Sequence, residues 1–159
     1  DNMEEQLVNR LLDIRQRYNR KVSIVGWSLG GIFARELAKA QPDDVRFVIS
    51  LGSPVNRNPK ANHAWRLYEM LNNKIDEEHS EEHKKRSEPP PVPSTAIFSK
   101  QDGIVAWQCC LQPESQISEN IQVNSSHLGF GHNPAVLVII ANRLAQHEKY
   151  WQPYSEKQP

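Results

Sequence analysis

Ten consecutive residues, Val22-Ser23-Ile24-Val25-Gly26-Trp27-Ser28-Leu29-Gly30-Gly31, limit most severely what this chain can fold into. A β-branched apolar run meets Gly-x-Ser-x-Gly and passes at once into Ile32-Phe33-Ala34-Arg35-Glu36-Leu37-Ala38-Lys39, whose apolar residues recur at helical spacing. The reading is strand, sharp turn, helix. A serine on such a turn is lifted clear of the sheet with strained backbone angles, and Gly26 and Gly30 are expected to flank it because side chains there would collide with neighbouring backbone. The turn sets the Leu29 N–H at a helix start, where it can stabilise an oxyanion. A structural glycine turn is the plainer alternative. The strand before the pentapeptide and the helix after it favour a nucleophile at Ser28.

Around this point the chain alternates. Residues 1–19 form an amphipathic helix, with Leu7, Val8, Leu11, Leu12 and Ile14 on one stripe. The helix after Ser28 should end near Gln41, ahead of Pro42. Val45–Leu51 is nearly continuous in apolar residues, as expected of a parallel strand buried on both faces. Strand, helix and strand within about 30 residues make a right-handed crossover unit. Ser94–Ser99 and residues 119–123 are further strands, and Asn133 can cap a last helix with Pro134 at its first position. The apolar stretch Ala135–Ala141 predicts substantial burial of that helix.

Residues 54–93 break the alternation. They hold a helical segment over 61–76 carrying Trp65 and Tyr68, an almost wholly charged run over 77–88, and the tract Pro89-Pro90-Pro91-Val92-Pro93, a stiff extended tether. An insertion on the carboxyl side of a strand sits over the sheet edge where ligands bind, so a cap is expected. The resulting division is a core of 1–53 and 94–150, a cap over 54–93, and a loose tail over 151–159.

Composition excludes more than it assigns. Nineteen basic and nineteen acidic residues leave zero net charge, which gives no electrostatic case for nucleic acid or an anionic membrane. No apolar run approaches the roughly 20 residues of a transmembrane helix. The two cysteines, Cys109 and Cys110, are adjacent; their Cα atoms lie about 3.8 Å apart, too close for an unstrained disulfide. Two free thiols favour a reducing, cytoplasmic compartment.

An activated serine needs a base to take its proton and an acid to orient that base. In a parallel α/β sheet the three sit on loops at the carboxyl ends of strands, in the chain order serine, acid, histidine. Asp102 follows the strand at 94–99, and His127 follows the strand at 119–123. His132, five residues on, is the competing base, but it sits against the cap of the last helix. His63 and His147 fall on helical segments. Order and placement together single out Ser28, Asp102 and His127 far more sharply than the pentapeptide does.

Gly26-Trp27-Ser28-Leu29-Gly30, Ser99-Lys100-Gln101-Asp102-Gly103 and Ser126-His127-Leu128-Gly129 resemble the nucleophile, acid and histidine segments of α/β-hydrolase-fold lipases and esterases. The resemblance spans nearly all of residues 20–147 except the insertion. It implies an α/β fold with a mostly parallel sheet flanked by helices and a helical cap, nucleophile Ser28, orienting acid Asp102, base His127, Leu29 N–H as an oxyanion donor, and no cofactor or metal. Trp27, Trp65, Tyr68, Trp107 and Phe130 offer apolar surface for an acyl group, or pack in the core. Such enzymes carry strands before the elbow, and a loop there supplies a second oxyanion N–H. Only one helix precedes Val22, so the chain is expected to be the carboxyl-terminal portion of a larger hydrolase lacking its amino-terminal strands, weakly active or inactive alone. The Val22–Gly26 strand would then be an open edge, available to a second copy or a complementing chain.

The leading expectation is a serine hydrolase acting on a small-molecule or lipid-like ester. Thioester hydrolysis and acyl transfer use the same three residues, and a non-catalytic binding module on the same fold is a second class. His79-Ser80-Glu81-Glu82-His83 also fits a zinc-protease pattern, yet it lies in a charged run with no apolar helix face to bury a metal.

Overall fold

The structure is a computed structural model, and it describes residues 3–56 and 87–155. Helix α1, Met3–Tyr18, leads into strand β1, Val22–Trp27, then helix α2, Leu29–Ala40, and strand β2, Val45–Leu51. Strands β3, Ser94–Ser99, and β4, Ser118–Val123, follow, and helix α3, Pro134–Ala145, closes the order. The four strands lie in the order β1-β2-β3-β4, every neighbouring pair parallel. Parallel strands put all their carboxyl ends on one rim. The turns after β1, β3 and β4 therefore emerge together.

Alternation along β2 divides the core into two layers. Phe47, Ile49 and Leu51 face Val136 and Ile139 of α3, together with Ile97, Ile121, Val123 and Phe130. Val45 and Val48 face Leu11 of α1 and Ala34 and Ala38 of α2. Val45 and Val48 share a face, despite odd spacing, because the register slips between Val22 and Ser23. The extra residue, Arg46, turns to the end of α3, where it donates to the carbonyls of Leu144 at 2.8 Å and Gln146 at 2.7 Å. Those carbonyls have no helical partner and attract a cation. Both central strands are almost wholly buried, β2 through its apolar run and β3 with Ser94, Thr95 and Ser99 each hydrogen-bonded.

Four expectations are altered. Helix α3 buries only Val136, Ile139 and Arg143, while Leu137 and Val138 are 48% and 62% exposed. A helix lying on a sheet presents one stripe to it, and nothing among the described residues covers the other. Residues 151–155 of the tail are not loose. Trp151 and Tyr154 pack against the α3 layer, and the buried Arg143 guanidinium holds the segment by donating to the Gln152 carbonyl at 2.7 Å. Glu119 accepts from Arg143 at 3.0 Å and from the Tyr154 N–H at 2.6 Å.

The proline tract is more than a stiff extended tether: Pro90 and Val92 are buried, and the Pro93 carbonyl accepts from Val48 N–H at 3.0 Å. Arg35 fastens the segment from α2, donating to the carbonyls of Ser87 and Glu88 and to Gln112. Burial lowers the Arg35 pKa to about 10, so it remains charged at neutral pH. The fourth is at the elbow, where Gly31 rather than Gly30 packs closely. The segment for which a helix and a cap are expected, with Trp65, Tyr68, His63 and the His79–His83 pattern, lies outside the described residues.

Candidate active site

Ser28 occupies the single-residue turn between β1 and α2 with φ 54° and ψ −124°, a conformation an L-residue adopts only when its surroundings enforce it. Both sides enforce it. Ser28 N–H donates to the Leu51 carbonyl at 2.9 Å, extending the parallel ladder, and its own carbonyl accepts from Gly31 N–H at 3.1 Å, the first bond of the helix. The cost of such backbone is about 1–3 kcal/mol.

The glycines divide the work differently from the sequence expectation. A Cβ on Gly26 would overlap the Gly30 backbone and come within 2.6 Å of the Gly31 Cα. A Cβ on Gly31 would run into Ser53, but one on Gly30 meets nothing within 4 Å. The helix packs onto the strand ends through Gly31, so Gly26 and Gly31 are the positions that require glycine. Leu29 opens α2, and its N–H is among the first-turn donors that no helical carbonyl reaches.

Asp102 lies in the turn after β3. Its Oδ1 accepts from the N–H groups of Ile104 and Val105, both at 2.8 Å, and its Oδ2 lies 2.7 Å from His127 Nδ1. The two side chains are 1% and 5% exposed. An ionised carboxylate only accepts, so this contact suits the imidazole tautomer that donates from Nδ1 and leaves Nε2 as the acceptor. Phe130 sets its ring edgewise to the imidazole at 6.3 Å. Trp27, adjacent to Ser28, donates its indole N–H to the His127 carbonyl at 3.0 Å, with the two rings 5.4 Å apart. No hydrogen bond from the Ser28 hydroxyl to the imidazole is present among the described residues; such bonds tighten when substrate is bound.

The structure thus brings Asp102 and His127 together and sets both on the rim with Ser28 and Leu29. His132 and His147 are exposed. Phe130 is fully buried in the α3 layer and braces His127, so it offers no surface to a ligand. Trp107 stacks on Phe98 at 5.8 Å, in a small cluster with Cys109 and Cys110. Burial, with Asp102 and Cys109 nearby, pushes the Cys110 thiol well above its ordinary pKa.

Two contributors escaped sequence reasoning. Ser99 Oγ accepts from Gln101 N–H and Ser125 N–H, each at 3.0 Å, and so ties the aspartate turn to the histidine loop. Gly52, at φ +52°, leaves room for the acid: a Cβ there would lie 3.0 Å from Asp102 Oδ2 and 2.7 Å from Phe130. A glycine closing an apolar strand was the available signal for the second; a strand serine gave none for the first.

Comparison with known proteins bears on the family and the fold. The PGAP1-like alpha/beta domain family matches residues 2–130. No curated protein sequence matches the chain. Among solved structures, lipase B of Aspergillus fumigatus superposes with a TM-score of 0.64 at 17% identity, covering 90% of this chain and 41% of its own. An esterase domain from a Rhodothermus marinus protein gives 0.62 at 18%, covering 85% and 63%. A monoacylglycerol lipase of Paleococcus ferrophilus gives 0.57 at 12%, covering 89% and 73%. At these identities the likeness is one of fold.

Proposed function

The chain belongs to the PGAP1-like alpha/beta domain family and has the α/β-hydrolase fold, and from that premise we propose that it is a serine hydrolase cleaving carboxylic esters through an acyl-enzyme on Ser28. The observation that carries the reading is the buried Asp102–His127 hydrogen bond on the rim that also bears the strained Ser28 turn.

The chemistry follows from those positions. His127 Nε2 takes the Ser28 proton as Oγ bonds to the ester carbonyl carbon. The carbonyl oxygen becomes an oxyanion against the Leu29 N–H. Asp102, charged throughout, stabilises the imidazolium and holds its orientation. Collapse of the adduct breaks the acyl carbon–oxygen bond, and the imidazolium returns its proton to the departing alcohol. Water then repeats the sequence, releasing the acid and restoring Ser28. Trp27 and Leu128, adjacent to Ser28 and His127, and Ile104, two residues after Asp102, are exposed large apolar residues, which favours an apolar acyl or alcohol portion over a charged one. A cytoplasmic setting belongs to the same reading, supported by two adjacent cysteines too close for an unstrained disulfide. No helix among the described residues is long and apolar enough to cross a membrane.

The test is labelling with a fluorophosphonate, which reacts only with an activated serine. Stoichiometric modification at Ser28, abolished by Ser28→Ala and strongly slowed by His127→Ala, is expected. A wild-type chain that folds and is not labelled would turn the assignment toward the non-catalytic class.

A further inference from the structure

β1 and β4 are the outermost described strands, with β2 and β3 between them. Neighbouring strands lie about 4.8 Å apart, so the roots of the Ser28 turn and the His127 loop are separated by on the order of 14 Å. A separation passed through three strand pairs accumulates the play of each. Asp102, Ser99 and Phe130 secure the imidazole relative to β3 and the α3 layer. They leave its distance from Ser28 to the sheet. Trp27 bypasses the sheet, because its indole N–H bonds the His127 main chain directly from the residue next to Ser28.

We propose that Trp27 is a positioning residue, whose indole N–H donated to the His127 carbonyl sets the distance between the nucleophile and its base. The proposal rests on the serine-hydrolase reading and assigns Trp27 a role beyond offering apolar surface. Trp27 is 45% exposed, so its ring adds modestly to the core and the fold tolerates its change. The bond works by geometry. Displacing a catalytic group by about 1 Å can cost on the order of 10²-fold in rate, far more than the hydrogen bond contributes to stability.

The experiment follows fluorophosphonate labelling over a range of probe concentrations, separating the maximal rate of modification from the half-saturating concentration. Trp27→Phe keeps an aromatic ring and removes the N–H. The maximal rate is expected to fall about tenfold, with the half-saturating concentration unchanged within twofold and the melting temperature within a few degrees. A purely structural Trp27 would lower the melting temperature and leave the maximal rate of the folded fraction intact. Should Trp27→Phe fold poorly, the benzothiophene analogue of tryptophan at position 27, similar in shape and without the N–H, takes its place under the same expectation. Equal maximal rates in wild type and variant overturn this inference alone and leave the hydrolase reading standing. Absence of wild-type labelling overturns both.

Discussion

Gly52 sits where a methyl group has no room. Its φ of +52° disfavours any L-residue, and a Cβ would press on Phe130 and Asp102, the two groups that hold His127. Gly52→Ala is therefore expected to cost about 1–3 kcal/mol in stability, as strain and overpacking do, and to slow Ser28 labelling further than that loss explains. Urea denaturation and labelling of the folded protein measure the two separately. Gly30→Ala is the control, since a Cβ there meets nothing within 4 Å and improves a helix position. Cys110 bears on pH. Its folded-state pKa is raised by burial, so folded and unfolded chains both hold the proton below the ordinary thiol value of about 8.5. Above that pH the unfolded chain releases a proton the folded one keeps, and stability falls by about 1.4 kcal/mol per pH unit. Denaturation midpoints from pH 7 to pH 10 are expected to decline in the wild type and to flatten in Cys110→Ala.

At the scale of elements, α3 and the tail are held by one buried ion pair. Arg143 is 1% exposed and reaches both Glu119 and the Gln152 carbonyl, while Tyr154 N–H and Thr95 Oγ1 complete the shell of Glu119. Removing one partner of such a pair leaves the other charge buried and unpaired. Arg143→Ala is expected to destabilise the fold by about 3–5 kcal/mol, measured by chemical denaturation. Replacing Arg143 and Glu119 together by apolar residues of similar volume should recover much of that loss. A single variant costing under about 1 kcal/mol would mean that the tail does not depend on the pair. The elbow shows the same economy of parts, since one strand bond and one helix bond lock Ser28 between them.

For the molecule as a whole, β1 is the exposed consequence of the topology. It pairs with β2 alone among the described residues, and Val25 and Trp27 stand exposed along it. An unpaired apolar edge is a template for another strand. We propose that a second copy can pair there: light scattering is expected to rise with concentration in the wild type and not in Val25→Lys, whose Ser28 labelling is unaltered. Unchanged association would place the self-contact elsewhere, and the uncovered Leu137–Val138 flank of α3 is the next surface to alter.

The sequence by itself determined the alternation of strands and helices, the strained Ser28 turn, and the order of Asp102 and His127 after successive strands. Those features are local: periodicity, glycine spacing and breaker residues are written along the chain. Tertiary structure alone decided that Gly31 rather than Gly30 carries the close packing, that Phe130 is a brace, that Gly52 clears space for the acid, and that residues 151–155 are docked. Each of these depends on what lies across the fold, at separations of tens of residues, and no local pattern records which distant atom will occupy the space beside a given backbone position.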